Sequence, residues 1–347
     1  MKNEPMPFVK VVFTAMFLLT DCGMSHARMP ASPERMCVLF YNAENLFDTA
    51  DNPLTDDDSF TPQSPRRWTP VRYRNKLRNL SRVIVAADTR RAPAIVGLCE
   101  VENDSVLYDL THRSPLRALG YNYVVTSSPD PRGINTALLY RPGYFRLLEH
   151  EAIEVDLSGT DRPATRHILH ATGLGPTLDT IDIYVCHWPS RLGGVARSEK
   201  RRKAAAEAVM NSVRRVIAAR RKPLVIIMGD LNEGPDDPAV KETLEAFPPD
   251  KAPLLPDSAL AALMYGVGEG TYRHDGEWET FDQFIVSVPF LRNDSPLRLD
   301  SVAVCRFGFL LEEDSKYGGV RPMRTYNGYH YMNGFSDHLP VALWLRW

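Results

Sequence analysis

The feature that most constrains the fold is a series of short apolar runs, each of which ends at a polar residue. Runs such as Met36 to Tyr41, Ala94 to Cys99 and Leu224 to Met228 have the length and composition of buried strands. Two longer segments, Tyr73 to Ala87 and Ala196 to Arg220, repeat apolar residues at helical spacing. Many short strands with a few interspersed helices predict a mixed α/β domain.

Residues 34 to 347 contain no repeat, low-complexity tract or linker that would divide them, so we expect one domain there. The chain has 347 residues, and a hydrophobic content of 44% is enough for a sizeable core. Its formal net charge of −2 argues against a dedicated tight DNA-binding protein, which would usually carry a basic excess. A nuclease that must release its product needs no such excess. We expect a monomer.

Residues 1–27 have the layout of a secretory signal peptide. Lys2 precedes an apolar core from Val11 to Leu19, and small residues follow up to Ala27. The core is too short to cross a bilayer, so we expect no transmembrane span. Cleavage after Ala27 would yield an exported protein, periplasmic or secreted. A lipid anchor at Cys22 is the alternative, which Asp21 directly before that cysteine disfavours; a cytoplasmic N-terminal helix is a third reading.

Polar residues close six of the apolar runs. Asp230 and Asn232 follow one strand two residues apart, a spacing that points both side chains the same way. Each position has an ordinary explanation on its own, since Gly-Asp after a strand is also a turn signal and Ser-Asp-His also suits a surface loop. Together they predict one rim suited to metal-assisted hydrolysis of a phosphate ester. The other positions are Asn42, Glu100, His187, Asp282, and Asp337 with His338.

Two basic segments bear on the substrate. Arginines and lysines cluster from Arg191 to Lys203, at the start of the longer helix, where cations oppose the helix dipole at a cost of about 0.3–1 kcal/mol per exposed charge. An anionic partner would explain them, and a solvated helix face is the ordinary alternative. The segment Arg321 to Gly334 is rich in arginine and tyrosine, and it could stack bases or be a packed surface loop.

Eight segments, taken in order along the chain, resemble the endonuclease/exonuclease/phosphatase superfamily, which has the DNase I-like fold. This resemblance implies a four-layer α/β sandwich of two mixed, largely antiparallel β-sheets flanked by helices. It also implies an active site at the rim between the sheets. The segments are Tyr41 to Phe47, Val96 to Val101, Gly133 to Tyr140, Thr165-Arg166, Cys186 to Arg191, Gly229 to Asn232, Phe281 to Phe284 and Ser336 to His338.

The resemblance further implies a metal site and a set of phosphate contacts. Glu100 would be the principal ligand of Mg²⁺, with Mn²⁺ or Ca²⁺ as alternatives, while Asn42 belongs to the same site and Asp337 supports it. Arg166 and Asn135 would contact the substrate phosphate, and the fork of an arginine favours such a contact. Many relatives carry Asp at the Asn135 position, and Tyr is common where this chain has Gln283.

The catalytic roles are likewise implied by the resemblance. Asp230 would activate or position the attacking water, and Asn232 would hold the phosphate. His338 would stabilise charge on the scissile phosphate or act as acid or base, paired with Asp282, and His187 matches a second active-site histidine. We therefore expect a phosphodiester substrate, with DNA or RNA first. A phosphatase, a phosphodiesterase of lipid head groups or small metabolites, and a catalytically silent binding protein stay as alternatives.

Overall fold

The runs predicted as strands form most of the secondary structure. The computed structural model describes residues 35–162 and 164–347, so the predicted signal peptide lies outside the described residues. These residues contain helices α1 (Pro70–Ala87), α2 (Asp104–Tyr108) and α3 (Val195–Ala219). Their strands are β1 (Arg35–Leu46), β2 (Ile95–Val101), β3 (Asn122–Val125), β4 (Asn135–Tyr140), β5 (Arg146–Ile153), β6 (Ile168–Leu174), β7 (Thr180–His187), β8 (Leu224–Asp230), β9 (Ala246–Phe247), β10 (Leu260–Ala262), β11 (Tyr272–His274), β12 (Glu277–Glu279), β13 (Asp282–Ser287), β14 (Arg298–Val304), β15 (Leu311–Glu313), β16 (Val320–Pro322), β17 (Tyr326–Asn327), β18 (His330–Tyr331) and β19 (Val341–Arg346).

Most strands belong to two mixed sheets. The first has the order β14-β19-β1-β2-β4-β3, and the second has the order β5-β6-β7-β8-β13-β10-β9. Neighbouring strands are antiparallel except for the parallel pairs β1 with β2, β7 with β8, and β9 with β10. The remaining strands pair as two-stranded ribbons, β11-β12, β15-β16 and β17-β18. The predicted pair of mixed, largely antiparallel sheets is confirmed.

The two sheets pack face to face because successive side chains of β8 point to opposite sides. Ile226 and Met228 face the first sheet, while Val225 and Ile227 pack in the cluster under α3. Gly97 in β2 permits the close approach, since a Cβ atom there would lie 2.7 Å from Met228 Cε. With α1 packed against the first sheet, the order of layers is helix, sheet, sheet, helix, as predicted.

Helix boundaries follow local chemistry. Thr69 caps α1 by accepting a hydrogen bond from Arg72 N, and Pro70 occupies the first helical position. The segment from Ser301 to Leu311 is divided between β14 and β15 by a single helical turn at Gly308–Leu310, where the Phe309 ring packs against Phe335 with ring centroids 5.3 Å apart. Within the described residues, no helix combines the length and apolarity needed to cross a membrane.

Candidate active site

Strand register places the predicted polar residues on one rim of the sandwich. The last residues of parallel strands β7 and β8, His187 and Asp230, are direct partners. Strand β13 runs the other way, so its first residue, Asp282, pairs with Asp230. Cross-strand partners project from the same face of a sheet. Asn42 and Glu100 lie near the carboxyl ends of β1 and β2, a parallel pair of the facing sheet. The structure therefore brings all five together.

His338, just before β19, completes the rim by pairing with Asp282. The imidazole Nδ1 lies 2.8 Å from Asp282 Oδ2, and its Nε2 lies 3.6 Å from Asp230 Oδ2. The Ser336 hydroxyl fixes the loop by accepting a hydrogen bond from His338 N and donating one to Asn42 O at 2.8 Å. Burial alone would lower the pKa of His338, but Asp282 and Asp230 outweigh it and raise the pKa well above its ordinary value. The two carboxylates therefore favour the protonated form of His338.

Asp230 occupies the centre of the rim. Its carboxylate accepts hydrogen bonds from Asn232 N at 3.0 Å and from Asn42 Nδ2 at 3.1 Å. Burial raises the pKa of Asp230 to about 7; nearby Asp282 contributes to the rise and His338 opposes it. A carboxylate that holds a proton near neutrality is suited to general-base chemistry.

His187 lies on the other side of Asp230 and differs from His338 in charge. Its Nε2 is 3.6 Å from Asp230 Oδ2 and 3.8 Å from Glu100 Oε1. Burial, with the nearby guanidinium of Arg166, lowers the pKa of His187 well below its ordinary value. The surroundings thus favour a protonated imidazole at His338 and a neutral one at His187, so the two rings can play different roles beside the same carboxylate.

Four residues of this rim adopt the left-handed conformation, which residues other than glycine rarely occupy. They include Glu100 at φ +56° and Asn232 at φ +51°. Strained backbone clusters at functional sites, where the surrounding structure holds it in place. The other two are Glu44 and Asn45, and the amide of Asn45 donates to Glu100 Oε2 at 3.0 Å.

The donor set fits one hard divalent cation that shares its coordination with substrate and water. Among residues 35–162 and 164–347, no three His, Cys, Asp or Glu side chains are grouped so that they could hold a metal ion by themselves. Glu100 Oε1 has only long contacts, 3.7 Å to Arg132 Nη1 and 3.8 Å to His187 Nε2. The amide oxygen of Asn42 accepts a single hydrogen bond, from Glu44 N. One or two protein oxygens plus phosphate and water is the usual magnesium arrangement.

A charged network behind Glu100 was only partly visible in the sequence. Glu44 accepts hydrogen bonds from Arg324 Nε at 3.1 Å and from Thr325 N at 2.7 Å, and Lys76 Nζ lies 3.7 Å from the same carboxylate. Arg324 also donates to Asp337 Oδ2 at 2.8 Å. Asp337 is therefore near the site but is paired with an arginine. Lys76 was missed because nothing in its helical pattern distinguishes it from a surface lysine.

Arg166 is held by protein groups at the rim. Its guanidinium donates to Asp130 Oδ2 at 3.2 Å and to the Trp188 carbonyl at 2.8 Å, and its buried Nε has no hydrogen-bond partner among the described residues. Asn232 Nδ2 donates to the same carbonyl at 3.1 Å. Asp130 and the half-exposed Arg132 were not anticipated, because they lie in an irregular loop without a strand-end signal.

Asn135 has a structural role that was not predicted from the sequence, where it was expected to contact the substrate phosphate. Its Oδ1 accepts a hydrogen bond from Ser128 N at 2.7 Å, and its Nδ2 donates to the Glu102 carbonyl at 2.6 Å. The side chain is buried and ties two loops together. A contact with the substrate phosphate stays a prediction for this residue.

The basic segment at the start of α3 is mostly neutralised by the protein itself. Arg197 and Arg201 contact Asp161, and the fully buried Arg202 pairs with Glu233. Arg191 joins three loops, since it donates to Asn232 O, Asp237 and Glu279. The anionic partners inferred from the sequence are therefore largely carboxylates of this chain.

The profile of the Endonuclease/Exonuclease/phosphatase family matches residues 37–347, nearly all of the described chain. The chain belongs to this family. Membership supports a hydrolase that acts on phosphoester bonds, and the family resemblance drawn from the eight segments is confirmed. No sequence among curated proteins matches.

Solved structures share the fold at low sequence identity. TDP2 from D. rerio, complexed with single-strand DNA product, has 16% identity and a TM-score of 0.54, covering 90% of this chain and 99% of that one. Truncated Caenorhabditis elegans TDP2 has 18% identity and a TM-score of 0.54, covering 90% and 98%. A family protein from Bacteroides thetaiotaomicron has 16% identity and a TM-score of 0.55, covering 90% and 98%. These likenesses confirm the DNase I-like fold.

Proposed function

We propose that this protein is an exported, magnesium-dependent phosphodiesterase with nucleic acid as its substrate. The observation that carries the proposal is the convergence of the His338–Asp282 pair, Asp230, His187 and Glu100 at one rim. These are the groups that water attack on a phosphate ester needs: a base, a proton-bearing imidazole and oxygen ligands for a cation. The D. rerio TDP2 complex with single-strand DNA product supports nucleic acid as the first substrate class.

The residues divide the chemistry between them. Asp230, hydrogen-bonded by Asn42 and by Asn232 N, is held in position to accept a proton from the attacking water. His338 remains protonated through Asp282, so its Nε2 can donate a hydrogen bond to a phosphoryl oxygen. The Asp282 contact at Nδ1 also fixes the orientation of the ring, as the acidic partner does in other His–Asp pairs.

Glu100 and Asn42 are the residues that would hold Mg²⁺. When bound there, the cation would supply charge neutralisation at the phosphate. Glu44 and Arg324 brace this corner, because the carboxylate and the guanidinium tie the end of β1 to the segment before Ser336. Arg166 lies beside His187 and is presented by Asp130, a position from which it can face the phosphate.

A substrate panel tests the proposal. Supercoiled DNA, RNA, bis-p-nitrophenyl phosphate, p-nitrophenyl phosphate and sphingomyelin would be offered in parallel with Mg²⁺, each with and without EDTA. We expect nicking of DNA or RNA that chelator abolishes. The Asp230→Asn variant is the matched control for a contaminating nuclease.

Each other outcome has a defined meaning. Hydrolysis of the small esters or the lipid alone would keep the same catalytic residues and identify the protein as a phosphatase or lipid phosphodiesterase. Full activity in excess chelator would contradict the cation's role. No turnover of any substrate would favour a binding protein built on this fold.

Export is the second part of the proposal. It rests on the signal-like layout of residues 1–27, which lie outside the described residues. Fractionation of cells that express the full chain would test it, since we expect the protein in the periplasm or medium with Ala27 as the last residue removed. Retention of the protein in membranes with lipid on Cys22 would support the lipoprotein alternative.

A further inference from the structure

A cavity of about 380 Å³ lies outside the rim, between α1 and the segment that follows α2. Four arginines line it: Arg74 and Arg78 from α1, and Arg113 and Arg117 from the facing segment. All four side chains are exposed at its mouth, while the neighbouring Leu77 is buried. The cavity is therefore a positively charged, bowl-shaped depression with packed protein beneath it.

The charge of this bowl is mostly uncompensated. Arg113 pairs with Asp109 at 3.0 Å, and Arg78 donates to the neutral Asn75. Arg74 and Arg117 make no ion pair or side-chain hydrogen bond within the part of the chain that the structure describes. The exposed Arg197, by contrast, pairs with Asp161. Four guanidinium groups with one carboxylate repel one another unless an anion joins them.

We propose that this bowl, hereafter the arginine bowl, binds the phosphate backbone of a nucleic acid strand whose scissile bond lies at the rim. The inference rests on the proposed function. Guanidinium forks match phosphate oxygens in pairs. Arg74 and Arg78 are one turn apart, about 6 Å along the helix. The charges are thus arrayed along an open surface, which suits repeating phosphates better than one small ester.

Helix α1 connects the arginine bowl to the rim. Its Lys76 contacts Glu44 behind the candidate metal site. On the helix flank nearer the rim, Arg72 stacks over the Tyr331 ring at 4.4 Å, and Asn75 Nδ2 lies 3.5 Å from the Tyr331 hydroxyl. A strand that leaves the rim past Tyr331 would cross the exposed side of α1 to reach the bowl.

Equilibrium binding of a fluorescein-labelled single-stranded oligonucleotide, measured in EDTA over a range of salt, tests this inference. The variant Arg74→Gln/Arg117→Gln removes two charges that no protein carboxylate holds. The matched control, Arg146→Gln/Arg221→Gln, also removes two exposed charges, and Arg221 precedes β8, at the end of the strand opposite Asp230. Hydrolysis of bis-p-nitrophenyl phosphate with Mg²⁺ provides a parallel measurement on a substrate too small to reach the bowl.

We expect the Arg74→Gln/Arg117→Gln variant to bind the oligonucleotide about tenfold more weakly at low salt. The slope of log K against log salt should fall by about 1.4, at about 0.7 per lost contact with a single strand. The rate on bis-p-nitrophenyl phosphate should stay at the wild-type value, and the control variant should bind as the wild type does.

The arginine bowl would be overturned by wild-type affinity in the double variant, by equal weakening in the control, or by no oligonucleotide binding by the wild type. Displacement by inorganic phosphate as effective as displacement by unlabelled strand would also overturn it, in favour of a site for a small anion. If the wild type hydrolyses none of the substrates, the proposed function fails. Oligonucleotide binding in EDTA would still test the arginine bowl in that case.

Discussion

Two buried histidine–carboxylate pairs, each with its aspartate in the second sheet, have different surroundings. His338 with Asp282 lies at the rim, and His170 with Asp182 lies mid-strand in β6 and β7, at 3.2 Å. Burial does not separate them, since the two histidines are 6% and 8% exposed and both aspartates 0%. A His–Asp pair by itself therefore says little about catalysis.

The difference lies in how many hydrogen-bonding atoms are already used. Asp182 accepts hydrogen bonds from Thr172 at 2.7 Å and from Arg220 at 3.3 Å, and His170 contacts Glu151 at 3.1 Å through its second nitrogen. Burial would raise the pKa of Asp182, but the bonds from His170, Thr172 and Arg220 lower it. At the rim, the Nε2 of His338 makes no hydrogen bond to any described residue and lies 3.6 Å from Asp230 Oδ2. The mid-strand pair is saturated, and the rim pair keeps a reactive atom free.

Substitution of one aspartate in each region, Asp230 at the rim and Asp182 in β7, should separate the two regions most strongly. Asp230→Asn should lower kcat/KM on the order of 10³- to 10⁴-fold, because the site loses its base while the fold persists. Asp182→Asn should leave kcat unchanged and destabilise the protein by about 3–5 kcal/mol, since it breaks a buried ionic network. Kinetics and thermal melts of both variants would check this. A large loss of kcat in Asp182→Asn would erase the distinction.

Substitution of His338 and His170 should show the same contrast between the two regions, with a smaller loss of kcat at the rim. His338→Gln should lower kcat about 10²- to 10³-fold, the range for loss of one positioned proton donor. His170→Gln should keep kcat and lower Tm, because its ring stacks on Tyr184 with centroids 4.3 Å apart. Equal kcat losses in the two variants would show that both pairs serve the site.

The pH dependence of stability should have opposite signs in the two regions. The folded-state pKa of Asp230 is raised to about 7 from an ordinary value of 3.8. Its contribution therefore opposes folding increasingly as pH rises across that window, because the unfolded chain ionises first. Asp182 has a lowered folded pKa, so its contribution is present above the ordinary value and is lost in acid.

Thermal melts in EDTA and in Mg²⁺ would check this sign. We expect Mg²⁺ to raise Tm more at pH 8 than at pH 5, because Asp230, whose pKa is raised to about 7, adds negative charge near Glu100 only when it is ionised. The Asp182→Asn variant should keep that cation effect. Stronger stabilisation by Mg²⁺ at pH 5 would contradict a cation at this rim.

The smallest expected effect is a single hydrogen bond in the saturated pair. Thr172→Val removes one donor to Asp182 and should cost about 1 kcal/mol of stability with kcat unchanged. Thr177→Val is a matched control, because the buried Thr177 hydroxyl has no hydrogen-bond partner among the described residues. Equal destabilisation of the two variants would assign the cost to the methyl group rather than to the hydrogen bond.

Strand ends were predictable from the sequence, and long-range pairing was not. Apolar runs located β2, β7 and β8, so the polar residue at the end of each strand could be read from the sequence. His187 and Asp230 meet because β7 and β8 are parallel neighbours, whereas Glu100 belongs to the facing sheet. The Glu44–Arg324 pair joins residues 280 positions apart, and nothing local in either segment specifies the other. The basic residues at the start of α3 suggested an anionic ligand. Their partners, such as Glu233, lie in distant loops and could not be recognised from the sequence.

The most direct test of the rim as a phosphodiesterase site is the rate of bis-p-nitrophenyl phosphate hydrolysis against Mg²⁺ concentration, for the wild type, Glu100→Gln and His170→Gln. We predict saturable activation by Mg²⁺ in the wild type and in His170→Gln, with kcat lost in Glu100→Gln or reached only at much higher Mg²⁺. Wild-type activation of Glu100→Gln would contradict the assignment of the cation and of the chemistry to this rim.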